Sequence, residues 1–127
     1  MKKFLYFFGI ILISLVIVLF LNKNNTKNVT FNGNSVGDKS KYVMEYSVLN
    51  KEECHYLELE KNEEIEVKVV SESGSVSIKI QKDNDEPIYK GTDIPTSSFV
   101  VKANNFGRYN ITVIGEKSKG SVSFTKK

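Results

Sequence analysis

Glu64-Ile65-Glu66-Val67-Lys68-Val69-Val70-Ser71-Glu72-Ser73-Gly74-Ser75-Val76-Ser77-Ile78-Lys79-Ile80-Gln81 is the stretch that decides the fold. Ile65, Val67 and Val69 alternate with Glu64, Glu66 and Lys68, and Val76, Ile78 and Ile80 alternate with Ser75, Ser77, Lys79 and Gln81. A period of two is the pattern of a strand with one face buried and one face wet. Between the two runs, Ser73-Gly74 reads as a turn.

The same pattern recurs outward in both directions. Leu57 and Leu59 alternate with Tyr56, Glu58 and Glu60, followed downstream by Phe99, Val101 and Ala103, then Tyr109, Ile111 and Val113, then Val122 and Phe124. Turn chemistry separates these runs at Asp83-Asn84-Asp85-Glu86-Pro87, Asn104-Asn105-Phe106-Gly107 and Lys117-Ser118-Lys119-Gly120. Weaker strands near 29–31, 41–48 and 88–90 bring the expectation to eight or nine short strands. No amphipathic helical period competes after residue 22. Short strands at this spacing, each with one apolar face, predict an all-β chain folded as an antiparallel β-sandwich, jelly-roll-like or Ig-like. Tyr109 opens a late strand just after Gly107, where a sandwich uses a tyrosine to fill the core and bond the backbone of the adjoining corner.

The N-terminal segment obeys a different rule. From Phe4 to Leu21 only Gly9 and Ser14 are neither apolar nor aromatic. An 18-residue helix is roughly 27 Å long, close to the hydrocarbon thickness of a bilayer, and its Leu, Ile, Val and Phe content favours insertion by roughly 3–6 kcal/mol. A cleaved signal peptide is the rival, since Met1-Lys2-Lys3 leads the run. The run is longer than an ordinary signal core, however, and Val18-Leu19-Phe20-Leu21 passes straight into Asn22-Lys23-Asn24-Asn25 with no small-residue cleavage site. The sole cysteine, Cys54, is too distant to carry a lipid beside the run. The predicted organisation is a signal-anchor or transmembrane helix over 1–21, a polar tether over 22–28 and a β-sandwich over 29–127. Lysines flank the run on both sides, so the positive-inside rule counted alone favours a cytoplasmic domain; the short basic head favours export. A single-pass protein of the cell membrane with its C-terminal domain extracytoplasmic is expected. A pilin-like chain would continue the helix amphipathically and carry an acid within it, and this one does neither.

Charge divides along the same boundary. The chain has 18 basic and 15 acidic residues. Lys2, Lys3, Lys23 and Lys27 lie in the first 27 residues with no acid among them, which leaves 14 basic against 15 acidic residues from Asn28 onward. The basic excess belongs to the flanks of the apolar run and gives no reason to expect a nucleic-acid partner.

Tyr42…Tyr46, the run 57–65, Gly74-Ser75-Val76-Ser77-Ile78, Pro87-Ile88-Tyr89 and Gly107-Arg108-Tyr109 together resemble small bacterial exported β-sandwich proteins anchored by a helix or a lipid. More distantly, the glycine-x-tyrosine strand is similar to the pre-peptidase C-terminal type of sandwich. The resemblance covers about residues 29–127 and implies a fold; it implies no catalytic residues. Where such relatives have a lysine-glycine-aspartate turn, this chain has Lys61-Asn62-Glu63, so Asn62 takes the glycine role, which Asn tolerates better than other side chains.

Candidate chemistry is sparse. Gly33-Asn34-Ser35-Val36-Gly37 matches the nucleophile-elbow pattern in letters, but an elbow needs a strand before it, a helix after it and a histidine at hand. A turn-rich loop accounts for it better. Cys54 and His55 are strand neighbours that point to opposite faces and cannot chelate one ion together, and no second Cys or His exists to complete a zinc set. By the alternation of Leu57 and Leu59, His55 falls on the inward face, and Cys54 has only an intermolecular disulfide open to it. Asp83, Asp85 and Glu86 cluster, but the EF-hand spacing is not met, because Pro87 breaks the pattern where that calcium loop needs a further Asp or Asn ligand before its glycine. Glu52-Glu53 and Glu63-Glu64 lack the cleft and the aromatic platform of a glycosidase. Asn28-Val29-Thr30 and Asn110-Ile111-Thr112 match the glycosylation sequon, which carries little weight in a composition rich in Lys, Asn and Ile that suggests a bacterial source.

The expectation is therefore a non-catalytic binding or interaction module of the cell envelope, with no catalytic, cofactor-binding or metal-ligating residues assigned. The membrane is reached through Phe4 to Leu21, and a protein or envelope polymer is the partner class. The alternatives are an accessory or structural subunit of a membrane complex, and a binding protein secreted after signal-peptide cleavage. A small hydrolase is the minority case.

Overall fold

A computed structural model describes residues 29–127. The apolar run Phe4–Leu21 and the tether 22–28 lie outside the described residues. Among the described residues the regular structure is entirely β, and no helix is long and apolar enough to cross a membrane. Seven strands follow in order: β1 (Phe31–Gly37), β2 (Lys41–Leu49), β3 (Glu52–Leu59), β4 (Glu64–Lys82), β5 (Tyr89–Gly91), β6 (Ser97–Lys102) and β7 (Gly107–Lys126). All pair antiparallel in one sheet.

The strand count departs from the expected eight or nine. Ser73-Gly74 and Lys117-Ser118-Lys119-Gly120 do not end strands. They are corners inside β4, of 19 residues, and β7, of 20 residues. The two long strands pair with each other on both sides of that corner, and the register shifts at Ser71/Ser73 and again at Ser73/Ser75. The burial pattern explains why. In β4 the buried residues are Ile65, Val67 and Val69 before the corner and Val76, Ile78 and Ile80 after it, a change from odd to even numbers. In β7 they change likewise, from Tyr109, Ile111 and Val113 to Val122 and Phe124. Because side chains alternate with a period of two, an unbroken strand would turn one of its two apolar runs outward; an extra residue in a bulge restores the face and bends the strand.

Each long strand changes partners at the corner. Before it, β4 lies between β6 and the end of β7; beyond it, β4 lies between β5 and the start of β7. The end of β7 also pairs with β2, which carries β1, and its start pairs with β3. One half of the sheet thus runs β1-β2-β7-β4-β6 and the other β3-β7-β4-β5. The halves meet through side chains at both margins. Tyr42 of β2 stacks on His55 of β3, with ring centroids 4.4 Å apart, and Tyr89 of β5 packs on Phe99 of β6 at 4.9 Å. Between these margins lies one apolar cluster that includes Met44, Leu49, Leu57, Ile65, Ile80, Tyr109 and Phe124, all buried.

Local details hold the margins in place. Asn62 adopts φ of 69°, the left-handed conformation expected of it, and its turn is tied to the opposite loop by Asn62 N–H to the Ala103 carbonyl at 2.9 Å. The Tyr109 ring is fully buried, while its hydroxyl donates to the Asn105 carbonyl at 2.7 Å and accepts from the Asn105 N–H at 3.3 Å. That is the corner bond its sequence context predicts. The stretch Gly33–Gly37, expected as a loop, belongs instead to β1, an edge strand with almost every residue exposed.

Candidate functional site

The two faces of β3 separate two sets of residues. Its inward positions are His55, Leu57 and Leu59; its outward positions are Glu52, Cys54, Tyr56 and Glu58. Register with β7 sets Ile114, Thr112, Asn110 and Arg108 beside those outward residues in turn. On the far side of β7, Ser77, Lys79 and Gln81 of β4 stand opposite Ile114, Thr112 and Asn110, and Lys90 of β5 stands opposite Lys79. The outer face of this half-sheet is therefore a mainly polar grid in which Tyr56 and Ile114 are the exposed apolar side chains.

Tyr56 is 52% exposed although it sits on a strand. The Arg108 guanidinium lies over its ring at 5.2 Å, within the range in which a cation is attracted to an aromatic face. Beyond the end of β3, Phe106 is 67% exposed and carries Lys82 over its ring at 5.5 Å. On the other side of Tyr56, a depression of about 290 Å³ opens between the strands, bordered by Ser77, Lys79, Lys90, Thr92, Asn110 and Ile114. Thr112 lines it too and is only 6% exposed, so flanking side chains crowd it even though it faces outward. The Asn110 Oδ1 atom is buried without a hydrogen-bonding partner, while its amide nitrogen reaches Thr112 Oγ1 at 3.5 Å. A buried polar atom left unpaired costs about 1–3 kcal/mol, a cost that a hydroxyl or ammonium donor arriving from solvent removes.

The residues singled out in the sequence are scattered by the fold. Ser35 lies on β1 opposite Met44, in a strand and not in an elbow. His55 Nε2 sits 2.7 Å from the Asp38 carbonyl, which can only accept, so Nε2 carries the proton and donates. That nitrogen is thereby committed to the backbone. Ser35 neighbours the Tyr42 hydroxyl, whose pKa burial raises; the Ser35 side chain opposes that shift, and the charges at Glu53 and Cys54 add to it. Burial likewise raises Tyr46, and nearby Ser118 offsets part of the shift, although neither hydroxyl reaches hydrogen-bonding geometry with the other.

Cys54 and His55 do point to opposite faces. The Cys54 thiol is exposed, 3.8 Å from Glu52 Oε2 and 3.9 Å from Thr112 Oγ1. The acids near residue 85 form a turn closed by Asp85 N–H to the Lys82 carbonyl at 2.9 Å, with the Gln81 amide donating to the Asp85 carbonyl at 2.7 Å. Among the described residues, no group of three His, Cys, Asp or Glu side chains is placed to share a metal. The paired glutamates are engaged separately: Glu53 with Lys51 at 3.1 Å, Glu63 with Lys126 at 3.4 Å and Glu64 with Lys127 at 3.8 Å. Asn110 and Thr112 of the second sequon lie within β7, where Thr112 is buried.

Sequence reasoning missed the grid itself. Lys79, Lys90, Tyr56 and Arg108 come from four strands, and each alone reads as an ordinary outward residue; only the register brings them together.

No family model matches the chain, and no curated protein matches it. The solved structures include a similar chain, described as the crystal structure of PirA, with a TM-score of 0.47 and 8% identity over 72% of this chain and 96% of that one.

Proposed function

We propose that this protein is a membrane-tethered, extracytoplasmic module of the cell envelope that binds and does not catalyse. The folded sheet would be a β-sandwich of jelly-roll-like or Ig-like kind, and the outer face of β3-β7-β4-β5 its binding surface. The observation that carries this is Tyr56, half-exposed beneath Arg108 on a mainly polar face. A rigid aromatic beside a guanidinium and amide groups is the composition of a recognition surface, because it offers large contact area and oriented hydrogen bonds at low entropic cost. A protein or envelope polymer is the partner class, and nucleic acid is not. The apolar run Phe4–Leu21 supports the tether, and the 22–28 segment would hold the domain close to the membrane surface.

In-cell crosslinking of the full-length protein, with mass spectrometry of captured species, tests this reading. A recurrent partner lost in Tyr56→Ala and Arg108→Ala, both of which should fold normally, is the expected result. A partner captured equally by wild type and both variants would overturn the choice of surface. Recovery of soluble protein with a new N-terminus beyond Leu21 would overturn the tether and favour a secreted binder.

The accessory-subunit reading has one observation in its favour. β1 is the outermost strand of its half-sheet, and its sequence Phe-Asn-Gly-Asn-Ser-Val-Gly contains no charge and no proline. Edge strands ordinarily carry such residues to prevent pairing with another chain. Abundance that depends on a partner protein, with crosslinks mapping to residues 31–37, would favour that reading.

A further inference from the structure

We propose that the depression beside Lys79 and Lys90 is a phosphate-binding site, a specificity that rests on the outer face of β3-β7-β4-β5 being the binding surface. Lys79 and Lys90 are directly opposed in the β4–β5 register, so their β-carbons are about 5 Å apart on the same face. Like charges so placed repel, and a sheet usually sets an acid across from a lysine. Here none answers. Among the described residues neither lysine forms an ion pair, and what sets the two apart from other unpaired lysines is their direct cross-strand opposition. The acid that lines the same depression, Glu52, stands on β3, two strand spacings across and two residues along from Lys79, roughly 12 Å between backbones. Its carboxylate is turned toward Cys54.

The surroundings suit an oxyanion that carries hydroxyl groups. The Thr92 and Thr112 hydroxyls line the same depression and can donate to phosphate oxygens. Asn110 lines the depression, and its buried, unpartnered Oδ1 would gain a donor if a shift of the side chain presented it to a ligand hydroxyl. Two ammonium groups act as point charges that can flank the oxygens of one phosphate, a role lysine commonly fills. At about 290 Å³ the depression takes one phosphate with a short polyol attached. The ligand class is therefore a glycerophosphate-like group, which either a phospholipid headgroup or a soluble polyol-phosphate polymer presents.

Amide chemical shifts of full-length protein held in phosphatidylcholine bicelles test the site, using two probes. One arm adds soluble glycerol phosphate; the other replaces part of the phosphatidylcholine with phosphatidylglycerol. The expected result is saturable movement of the Lys79, Lys90, Thr92 and Thr112 amides, and the responding arm identifies the source. Lys79→Gln and Lys90→Gln should each weaken the response about tenfold, the loss of one charge-assisted contact. Glu52→Gln should leave it unchanged or strengthen it. Tyr56→Ala should also leave it intact, which separates this site from the aromatic surface: loss of phosphate binding with Tyr56-dependent partner capture retained defeats the phosphate proposal alone. No movement in either arm, or equal movement with acetate at matched ionic strength, overturns it.

Discussion

Gly74 and Lys117 meet where the two long strands turn together, and a β-carbon on Gly74 would overlap the carbonyl oxygen of Lys117. Both residues adopt left-handed backbone, with φ of 70° and 49°. The glycine is thus required twice, by conformation and by space. Gly74→Ala should destabilise the protein by about 2–4 kcal/mol, and a urea melt followed by far-ultraviolet circular dichroism measures it. A change below 0.5 kcal/mol would mean that the corner relaxes freely.

Asn62 tests the same conformation at a second turn. Its φ of 69° costs any residue but glycine or asparagine about 1 kcal/mol. Asn62→Gly should therefore leave stability within about 0.5 kcal/mol, while Asn62→Val should lose about 1–2 kcal/mol. Equal loss in both variants would point to the asparagine side chain instead of its backbone.

The Tyr109 hydroxyl bonds both the N–H and the carbonyl of Asn105. Tyr109→Phe keeps the buried ring and strips away both bonds, together with the hydroxyl's 3.2 Å contact to Asn104 Oδ1. A loss of about 1–2 kcal/mol is expected, with faster amide exchange at Asn105. Unchanged exchange there would show that the corner is held by the strands alone.

Alkaline stability follows from Tyr42 and Tyr46, both of whose pKa values burial raises above 10.0. The unfolded chain then releases these protons at lower pH than the folded one. Stability from this source is complete below pH 10 and falls as pH rises through the folded values. Thermal melts at pH 8 to 11 should show a drop that begins near pH 10 and is smaller in Tyr42→Phe. A drop that starts below pH 9 would implicate another group.

The sequence carries more of the fold than its turn signals suggest. The change from Ile65, Val67 and Val69 to Val76, Ile78 and Ile80 switches odd to even, which a hairpin or a bulged corner satisfies equally. Ser-Gly is also good chemistry for either. What separates them is the partner strand: β7 bends at the matching place, and that match spans more than forty residues of sequence. Local pattern therefore locates the buried residues well and the strand ends poorly. The Asn62 turn closes locally, Glu63 N–H to the Glu60 carbonyl, and the Tyr109 corner reaches only back to Asn105, so both were legible from neighbouring residues. Lys79 and Lys90, although only eleven residues apart, meet through a register that their own alternation leaves open.

β7 is the last strand of the seven, yet it supplies a neighbour to β2, β3 and β4. As the chain leaves the ribosome or a translocation channel, β2 and β3 must wait for residues 107–126 before either gains its β7 partner. Closure of the core therefore waits for the last strand. Nascent chains that stop short of Gly107 should remain open to proteases however long they are given.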